Sequence, residues 1–312
     1  MSPSETTTRR RFPRISSTAF EHPQDRQALE ALRKIPVLDK VVHKFIELGA
    51  ERYFRTQLLG GAVHVTPKQC PRVYKLFKEA AEILDMHEPD LFLASNPYVN
   101  AFTFGVDRPF VVLQSGLVDL LTEEELMGVM GHELGHVKAG HVLYRSLVLL
   151  LLQISNAIVP IPGLAQMALR IALFDWYRKS ELTADRAELL VTQDLKVCLN
   201  THMKLSAGSK TIFNEMDTQE FLRQADSYED LDYSTLNKVY KLLIELGMTH
   251  PIPVYRAREI KQWHDSKAYT EIMAGRFPTK DQEVTTRNCP HCGVEVAPSF
   301  FFCPDCGKNT RV

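Results

Sequence analysis

The chain has 312 residues, 45% of them apolar, and a formal net charge of −1 at pH 7. This length accommodates one large domain, or one domain with a small appendage. The near-zero charge gives no bulk attraction to nucleic acid or anionic membrane, so we expect no nucleic-acid partner.

The N-terminus, MSPSETTTRRRFPRISSTAF, is polar and basic and lacks the apolar segment of a secretory signal. We expect residues 1–24 to form a disordered, solvated tail. Four of the six cysteines fall between Cys289 and Cys306. Such clustering indicates metal binding in a reducing compartment rather than a disulfide framework, which predicts a cytoplasmic protein.

The first half of the chain predicts helices and then a small sheet. Apolar residues recur at helical spacing in residues 25–59, where Pro36 separates two predicted helices. Another helix is predicted over residues 71–84. The spacing of apolar residues then changes from that of a helix to that of short strands. Three strands are predicted, at residues 91–94, 98–105 and 109–114.

The next predicted helix carries His132-Glu133-Leu134-Gly135-His136, the HExxH pattern. Thr122 as N-cap and Glu125 three residues later form a capping box. Positions i and i+4 share a helix face, so His132 and His136 can offer two nitrogens to one metal ion. Glu133 lies beside them, where its carboxylate can take a proton from an activated water. The alternative is a buried helix whose histidines only satisfy hydrogen bonds.

Gly131 and Gly135 interrupt the same predicted helix. A glycine inside a helix costs roughly 1 kcal/mol relative to alanine. We therefore expect another backbone to approach the helix closely at these positions.

Residues 146–169 form an uncharged stretch of 24 residues. Its length suits a membrane span, but Pro160, Pro162 and Gly163 divide it into arms that each reach only ~20 Å as helix, against a hydrocarbon core of ~30 Å. We expect a helical hairpin. It is either buried in the core, or partly covers the active site with a face available to a membrane surface.

A second polar motif, SELTADR, begins at Ser180, which we predict to be the N-cap of a further helix. Catalytic zinc requires three protein ligands and one open position, and Glu181 is the candidate third ligand. Asp185, one turn further on, is placed to accept the outer ring N–H of a ligand histidine and fix its tautomer. The alternative is a solvated acidic face balanced by nearby basic residues.

The C-terminal segment, residues 287–312, contains two CPxCG knuckles separated by ten residues. Four thiolates suit a closed, structural zinc site, and Gly293 and Gly307 permit a left-handed turn after each knuckle. A redox dithiol is the competing interpretation. We predict a small zinc ribbon whose four ligands are Cys289, Cys292, Cys303 and Cys306.

HExxH followed by SExxAD resembles the M48 family of zinc metallopeptidases, the gluzincin group that includes the Ste24 and HtpX proteases. Two further motifs occur in the family's order, Asn100-Ala101-Phe102 and a His-Pro pair at His250 followed by Arg256. The resemblance implies a mainly α (α+β), zincin-like domain with a small sheet beside the HExxH helix. It extends from about residue 25 to residue 261, and the metallopeptidase domain is expected over residues 25–280.

The resemblance also implies roles for the two additional motifs. Asn100 and Ala101 resemble the substrate-aligning edge strand, which pairs with extended peptides through backbone hydrogen bonds. An ordinary buried strand is the alternative, and we prefer it for Phe102. His250 and Arg256 are candidates to stabilise the oxyanion. Alternatively, they form a turn before a helix, with Arg256 paired to an acid.

The implied function is that of a zinc-dependent endopeptidase acting on polypeptides, in protein quality control or processing. It would hold one catalytic zinc and one structural zinc. One alternative is a chaperone-like peptide-binding protein with weak or regulated proteolysis. The other is a prenyl-protein endopeptidase, for which an enclosed membrane chamber is expected.

Overall fold

The computed structural model describes residues 9–35, 38, 41–42, 49–153, 163–231, 252–280, 287–296 and 310. This part of the chain is mainly helical with a small mixed sheet, as predicted. The helices are α1 (Pro23–Arg33), α2 (Ala50–Gly61), α3 (Pro71–Ile83), α4 (Ser115–Leu120), α5 (Glu123–Lys138), α6 (Val142–Gln153), α7 (Gly163–Thr192), α8 (Leu195–Ala207), α9 (Thr218–Asp230), α10 (Pro253–His264) and α11 (Lys267–Met273). The strands are β1 (Val63–Val65), β2 (Asp90–Ala94), β3 (Ala101–Phe104), β4 (Phe110–Gln114), β5 (Arg287–Asn288) and β6 (Glu295–Val296).

The main sheet has the order β1-β2-β4-β3. Its central strands β2 and β4 are parallel, and the edge strands β1 and β3 pair antiparallel with them. Strands β2, β3 and β4 match the three predicted strands. Strand β1 was not predicted, because its three residues are too few to show an alternating pattern.

The sheet separates two hydrophobic clusters, since alternate residues of a strand face opposite sides. Leu91, Val111 and Leu113 join the larger cluster, which includes the buried side of α5. The other face joins a smaller cluster with α6 and the first half of α7, through Phe92, Phe110 and Val112.

Helix α5 begins with the predicted capping box and packs closely on α7. The backbone N–H of Glu125 donates to Thr122 Oγ1 (3.3 Å), and that of Thr122 donates to Glu125 Oε2 (2.8 Å). A Cβ atom added at Gly135 would lie 2.5 Å from Cβ of Ala187 on α7. One added at Gly131 would lie 2.7 Å from Cβ of Val191. At Gly135 the backbone of Ala184 also lies close, with its Cα 3.3 Å from the added atom, so the predicted backbone approach is confirmed there. At Gly131 the close neighbour is the side chain of Val191.

The predicted helix start at Ser180 is wrong, because α7 runs without interruption from Gly163 to Thr192. Ser180 is buried inside it, and its hydroxyl donates to the carbonyl of Tyr177 (2.7 Å). Residues 164–192 contain no glycine or proline. The helix therefore continues, and the serine bonds back to the preceding turn instead of capping a new one.

The described arms of the apolar stretch are α6 and the beginning of α7, which pack on each other. Residues 154–162, which include Pro160 and Pro162, lie outside the described residues. Leu147 and Val148 are buried, whereas Met167 is 61% exposed. No helix in the described part of the chain has the length and apolarity to cross a membrane.

The expectation of a disordered tail is wrong for residues 9–24. Phe12, Ile15 and Phe20 are fully buried in the larger cluster. The backbone N–H of Phe12 donates to the carbonyl of Ile83 (3.0 Å), and that of Ser16 donates to the carbonyl of Pro278 (3.0 Å). The segment was predicted to be disordered because it is rich in arginine. Its three buried apolar residues follow neither the helical nor the strand spacing.

The first cysteine knuckle forms the turn of the β5–β6 hairpin. The backbone N–H of Cys289 donates to the carbonyl of Val294 (2.8 Å), and that of Gly293 donates to the carbonyl of Cys289 (2.9 Å). Gly293 has the predicted left-handed conformation (φ +76°). Cys303, Cys306 and Gly307 lie outside the described residues.

Candidate metal centre

Helices α5 and α7 bring the three predicted metal ligands together in the interior. His132 Nε2 and His136 Nε2 are 3.2 Å apart. Glu181 Oε2 lies 3.4 Å from His132 Nε2, and its Oε1 lies 3.3 Å from His136 Nε2. Ligand atoms on a tetrahedral ion with bonds of ~2.0–2.1 Å are ~3.3–3.4 Å apart. The donor set and its spacing therefore fit zinc.

The electrostatics around the two histidines differ. Burial lowers the pKa of His132, but hydrogen bonds with Asp185 and Glu181 raise it, to about 10 overall. Burial and the nearby Arg145 lower the pKa of His136 well below its usual value. The two carboxylates thus favour positive charge on His132, whereas burial and Arg145 favour the neutral form of His136.

Asp185 and Arg256 contact the proposed ligands His132 and Glu181. Asp185 Oδ1 is 3.1 Å from His132 Nδ1, and Arg256 Nε donates to Asp185 Oδ2 (2.9 Å). A second guanidinium nitrogen also bonds the Asp185 carboxylate, and Nη1 lies 3.4 Å from Glu181 Oε2. Burial raises the pKa of Asp185, but Arg256 lowers it well below its ordinary value overall. His250 lies outside the described residues.

Arg145, a fully buried residue of α6, belongs to the site although no sequence motif predicted it. Its Nη1 donates to Glu181 Oε1, and its Nη2 donates to the Tyr177 hydroxyl (2.9 Å). The guanidinium also stacks on the Tyr177 ring, 4.2 Å from the centroid. Both oxygens of Glu181 thus face an arginine. The available signal was a single cation at the edge of a long uncharged stretch.

Thr103, which bonds the candidate base, was likewise not predicted from the sequence. Thr103 is fully buried on β3, and its hydroxyl donates to Glu133 Oε2 (2.6 Å). No described residue bonds the Oε1 atom of Glu133. The strand was predictable, but which of its residues faces α5 depends on the packing.

Strand β3 lies at the edge of the main sheet. The N–H of Gln114 donates to the carbonyl of Asn100 (3.0 Å), so Asn100 uses its main chain toward β4. In an antiparallel pair, residues that bond the partner strand alternate with residues that do not. The main-chain groups of Ala101 and Thr103 therefore point away from β4. At Gly105 the edge is closed by Ser146 of α6, whose hydroxyl bonds both its N–H (3.0 Å) and its carbonyl (3.2 Å).

A second group of potential ligands consists of His132, Asp185 and Glu188. Burial and the Asp185 carboxylate raise the pKa of Glu188 to about 8. Burial lowers the pKa of His202, 3.7 Å from Glu188, to about 3. Because Arg256 already neutralises Asp185 and burial favours the neutral form of Glu188, this group suits a cation less well than the first.

Comparisons with known proteins agree with this geometry. The family model described as Peptidase family M48 matches residues 67–264. The chain is 35% identical over 267 residues to the plastoglobule-localized metallopeptidase 48, chloroplastic, of Arabidopsis thaliana. The matched residues make up 84% of this chain and 77% of that protein. The chain is 34% identical over 103 residues to a protease HtpX homolog of Moorella thermoacetica, 31% of this chain and 34% of that protein. It is 30% identical over 116 residues to the protease HtpX homolog of Thermodesulfovibrio yellowstonii. That match covers 36% of this chain and 39% of the homolog. The chain thus spans well under half of these HtpX homologs, and no solved structure matches.

Proposed function

Because the chain belongs to peptidase family M48, a family of zinc metallopeptidases, we propose that it is a zinc-dependent endopeptidase. We propose that His132, His136 and Glu181 hold the catalytic ion. The observation that carries this proposal is the convergence of three buried donor atoms at the spacing of a tetrahedral site. Zinc bound there would polarise the scissile carbonyl and acidify a water molecule.

Glu133 is proposed as the general base and acid. Thr103 fixes its Oε2, which leaves Oε1 to accept the proton of the attacking water and to deliver it to the leaving amine. The hydroxyl bond restricts rotation of the carboxylate. The proton is therefore taken up at one defined position.

Asp185 and Arg256 are proposed to position the ligands. Asp185 accepts the outer N–H of His132, and Arg256 bonds both Asp185 and Glu181. This engagement favours a positioning role for Arg256 over the oxyanion role expected from the sequence, which stays a proposal for His250. Arg145 supports Glu181 from the opposite side.

The edge of β3 is proposed to align an extended polypeptide. Support comes from the position of β3 at the edge of the sheet and from the main-chain groups of Ala101, which point away from β4. Pairing of these groups with a substrate backbone would bind peptides with little sequence preference. Asn100 would contribute through its side chain, because its main-chain carbonyl bonds β4.

The domain division and the second zinc also remain proposals. The metallopeptidase domain would extend to residue 280, with a zinc ribbon at residues 287–312. Support comes from the CPxCG spacing and from the turn at Gly293. Cys289, Cys292, Cys303 and Cys306 would hold a structural ion.

A role in protein quality control or processing is the physiological proposal, with membrane contact through residues 146–169. The exposed Met167 and the location in the Arabidopsis relative's name support that contact. A chaperone-like protein with weak proteolysis would bind unfolded polypeptide without turnover, and a prenyl-protein endopeptidase would cleave only prenylated substrates. Assays with both substrate types separate these alternatives.

The ligand assignment is tested by counting zinc in the variant Glu181→Ala. Loss of the third ligand should empty or weaken the catalytic site and leave the ribbon metal in place, so bound zinc falls from about two per chain towards one. Elemental analysis of the purified full chain measures this. Two zinc ions per chain in the variant would show that Glu181 is not a ligand.

A further inference from the structure

The two ring nitrogens of His136 face different neighbours. Nε2 faces His132 and Glu181, whereas Nδ1 lies 3.0 Å from Nδ1 of His141. His141 follows α5 and is 1% exposed. Its other nitrogen, Nε2, lies 3.0 Å from Asp25 Oδ2. A buried path therefore runs from the proposed ligand through His141 to a carboxylate in the first turn of α1.

Asp25 is enclosed by hydrogen-bond donors. It is fully buried, and besides His141 it accepts bonds from Trp176 Nε1 (3.0 Å) and the Thr183 hydroxyl (2.5 Å), both on α7. Burial raises the pKa of Asp25, but His141 and these donors lower it below its ordinary value overall. A carboxylate at this position can only accept, so each neighbour must present a hydrogen to it.

The proton positions follow from this arrangement. His141 Nε2 must carry a hydrogen to bond Asp25, and in that tautomer His141 Nδ1 is an acceptor. That acceptor requires a hydrogen on Nδ1 of His136. His136 then presents an unprotonated Nε2 to His132 and Glu181, the form a metal ligand needs.

We propose that Asp25 and His141 are positioning residues for the metal centre, fixing the tautomer and ring orientation of His136 and increasing its basicity. The inference rests on the proposed function, since it takes His136 to be a ligand. Asp25 lies outside residues 67–264, the part matched by the family model. Metal affinity would thus depend on the docking of α1 against α7.

The test measures metal affinity directly with Co²⁺, whose d–d absorption at a site without cysteine is distinct from thiolate charge-transfer bands. Full-length wild type, Asp25→Asn and His141→Phe are titrated against a competing chelator. Phe12→Leu is the matched control, because it removes core packing in the same N-terminal segment without touching His136, His141 or Asp25. Glu181→Ala identifies the absorption of the catalytic site.

Loss of an outer hydrogen-bond partner typically weakens metal affinity 10–100-fold. We expect losses of this size in Asp25→Asn and His141→Phe, and unchanged affinity in Phe12→Leu. Wild-type metal affinity in both Asp25→Asn and His141→Phe, or the same loss of affinity in Phe12→Leu, would overturn the inference. Either result would leave the ligand assignment intact. Absence of a Glu181-dependent site in the wild type would overturn the proposed function and this inference together.

A second measurement needs no variant, in case the substitutions prevent folding. In the ¹⁵N NMR spectrum of the zinc-bound wild type, the imidazole nitrogens report which atom carries hydrogen. We expect His141 to be protonated on Nε2 and His136 on Nδ1. Protonation of His141 on Nδ1 would contradict the inference.

Discussion

Thr103 shows how a single hydroxyl of the sheet can act on the proposed base. Its bond to Glu133 Oε2 is 2.6 Å long and buried. Hydrogen bonds to charged groups contribute about 1.5–3 kcal/mol. The replacement Thr103→Val keeps the shape of the side chain and removes only the donor.

We predict that Thr103→Val lowers kcat about 10–100-fold, the equivalent of 1.5–3 kcal/mol, with little change in bound zinc. Steady-state kinetics on an unfolded polypeptide such as casein measure the change. Thr201→Val is the matched control, because Thr201 is equally buried and its hydroxyl donates only to the carbonyl of Val197 within α8. An equal loss in both variants would remove Thr103 from the mechanism.

At this scale, local spacing predicted residues that later converge and missed those defined only by the fold. HExxH and SExxAD singled out His132, His136 and Glu181 because helical periodicity places each motif on one face. Thr103, Arg145 and Asp25 reach the site from other elements. Asp25 is separated from Thr183, its hydrogen-bond partner, by 158 residues. Such contacts leave no periodic trace in the sequence.

At the scale of elements, the spacing between α5 and α7 determines whether the ligands converge. Gly135 lies one residue before His136 and directly against Ala187. A methyl group at Gly135 would sit 2.5 Å from the Ala187 methyl, so the helices would have to separate. Overpacking of a core costs typically 1–3 kcal/mol.

We predict that Gly135→Ala lowers the melting temperature and weakens metal binding, although alanine alone would favour the helix by roughly 1 kcal/mol. The double variant Gly135→Ala/Ala187→Gly should restore both properties, because it removes one methyl for each one added. Calorimetry and the Co²⁺ titration measure them. Failure of the second substitution to rescue the first would show that helix spacing is not what Gly135 provides.

The apolar hairpin exposes two residues on one face of α7. Met167 and Ile171 are 61% and 44% exposed and lie four positions apart. Leu147 and Val148 of the partner arm are buried, so part of the stretch belongs to the core.

We predict that Met167→Glu/Ile171→Glu reduces sedimentation with phosphatidylcholine vesicles and retains wild-type zinc, because charges on this face oppose burial in lipid. Ile212→Glu/Leu231→Glu, at positions 46% and 41% exposed elsewhere on the surface, is the control. Wild-type protein that stays in the supernatant, or equal loss in the control, would refute membrane contact through this face.

At the scale of the whole molecule, the sequence predicted the class of fold and most elements, but neither the start of α7 nor the path of the N-terminus. The length of α7 was missed because Ser180 carries a local capping signal that the surrounding packing overrides. Residues 9–24 were assigned to a tail because their apolar anchors follow no period. Both errors concern long-range packing, which composition and spacing do not encode.

The central claim, peptide hydrolysis with Glu133 as base, is tested most directly by Glu133→Gln in the full chain, assayed for casein cleavage and bound zinc together. Glutamine keeps the shape and can still bond Thr103, but it cannot take up a proton at neutral pH. We predict that the variant retains zinc and fold and loses at least roughly a hundredfold in cleavage rate, the scale of general-base catalysis. Cleavage within a few-fold of wild type, with zinc retained, would contradict the account.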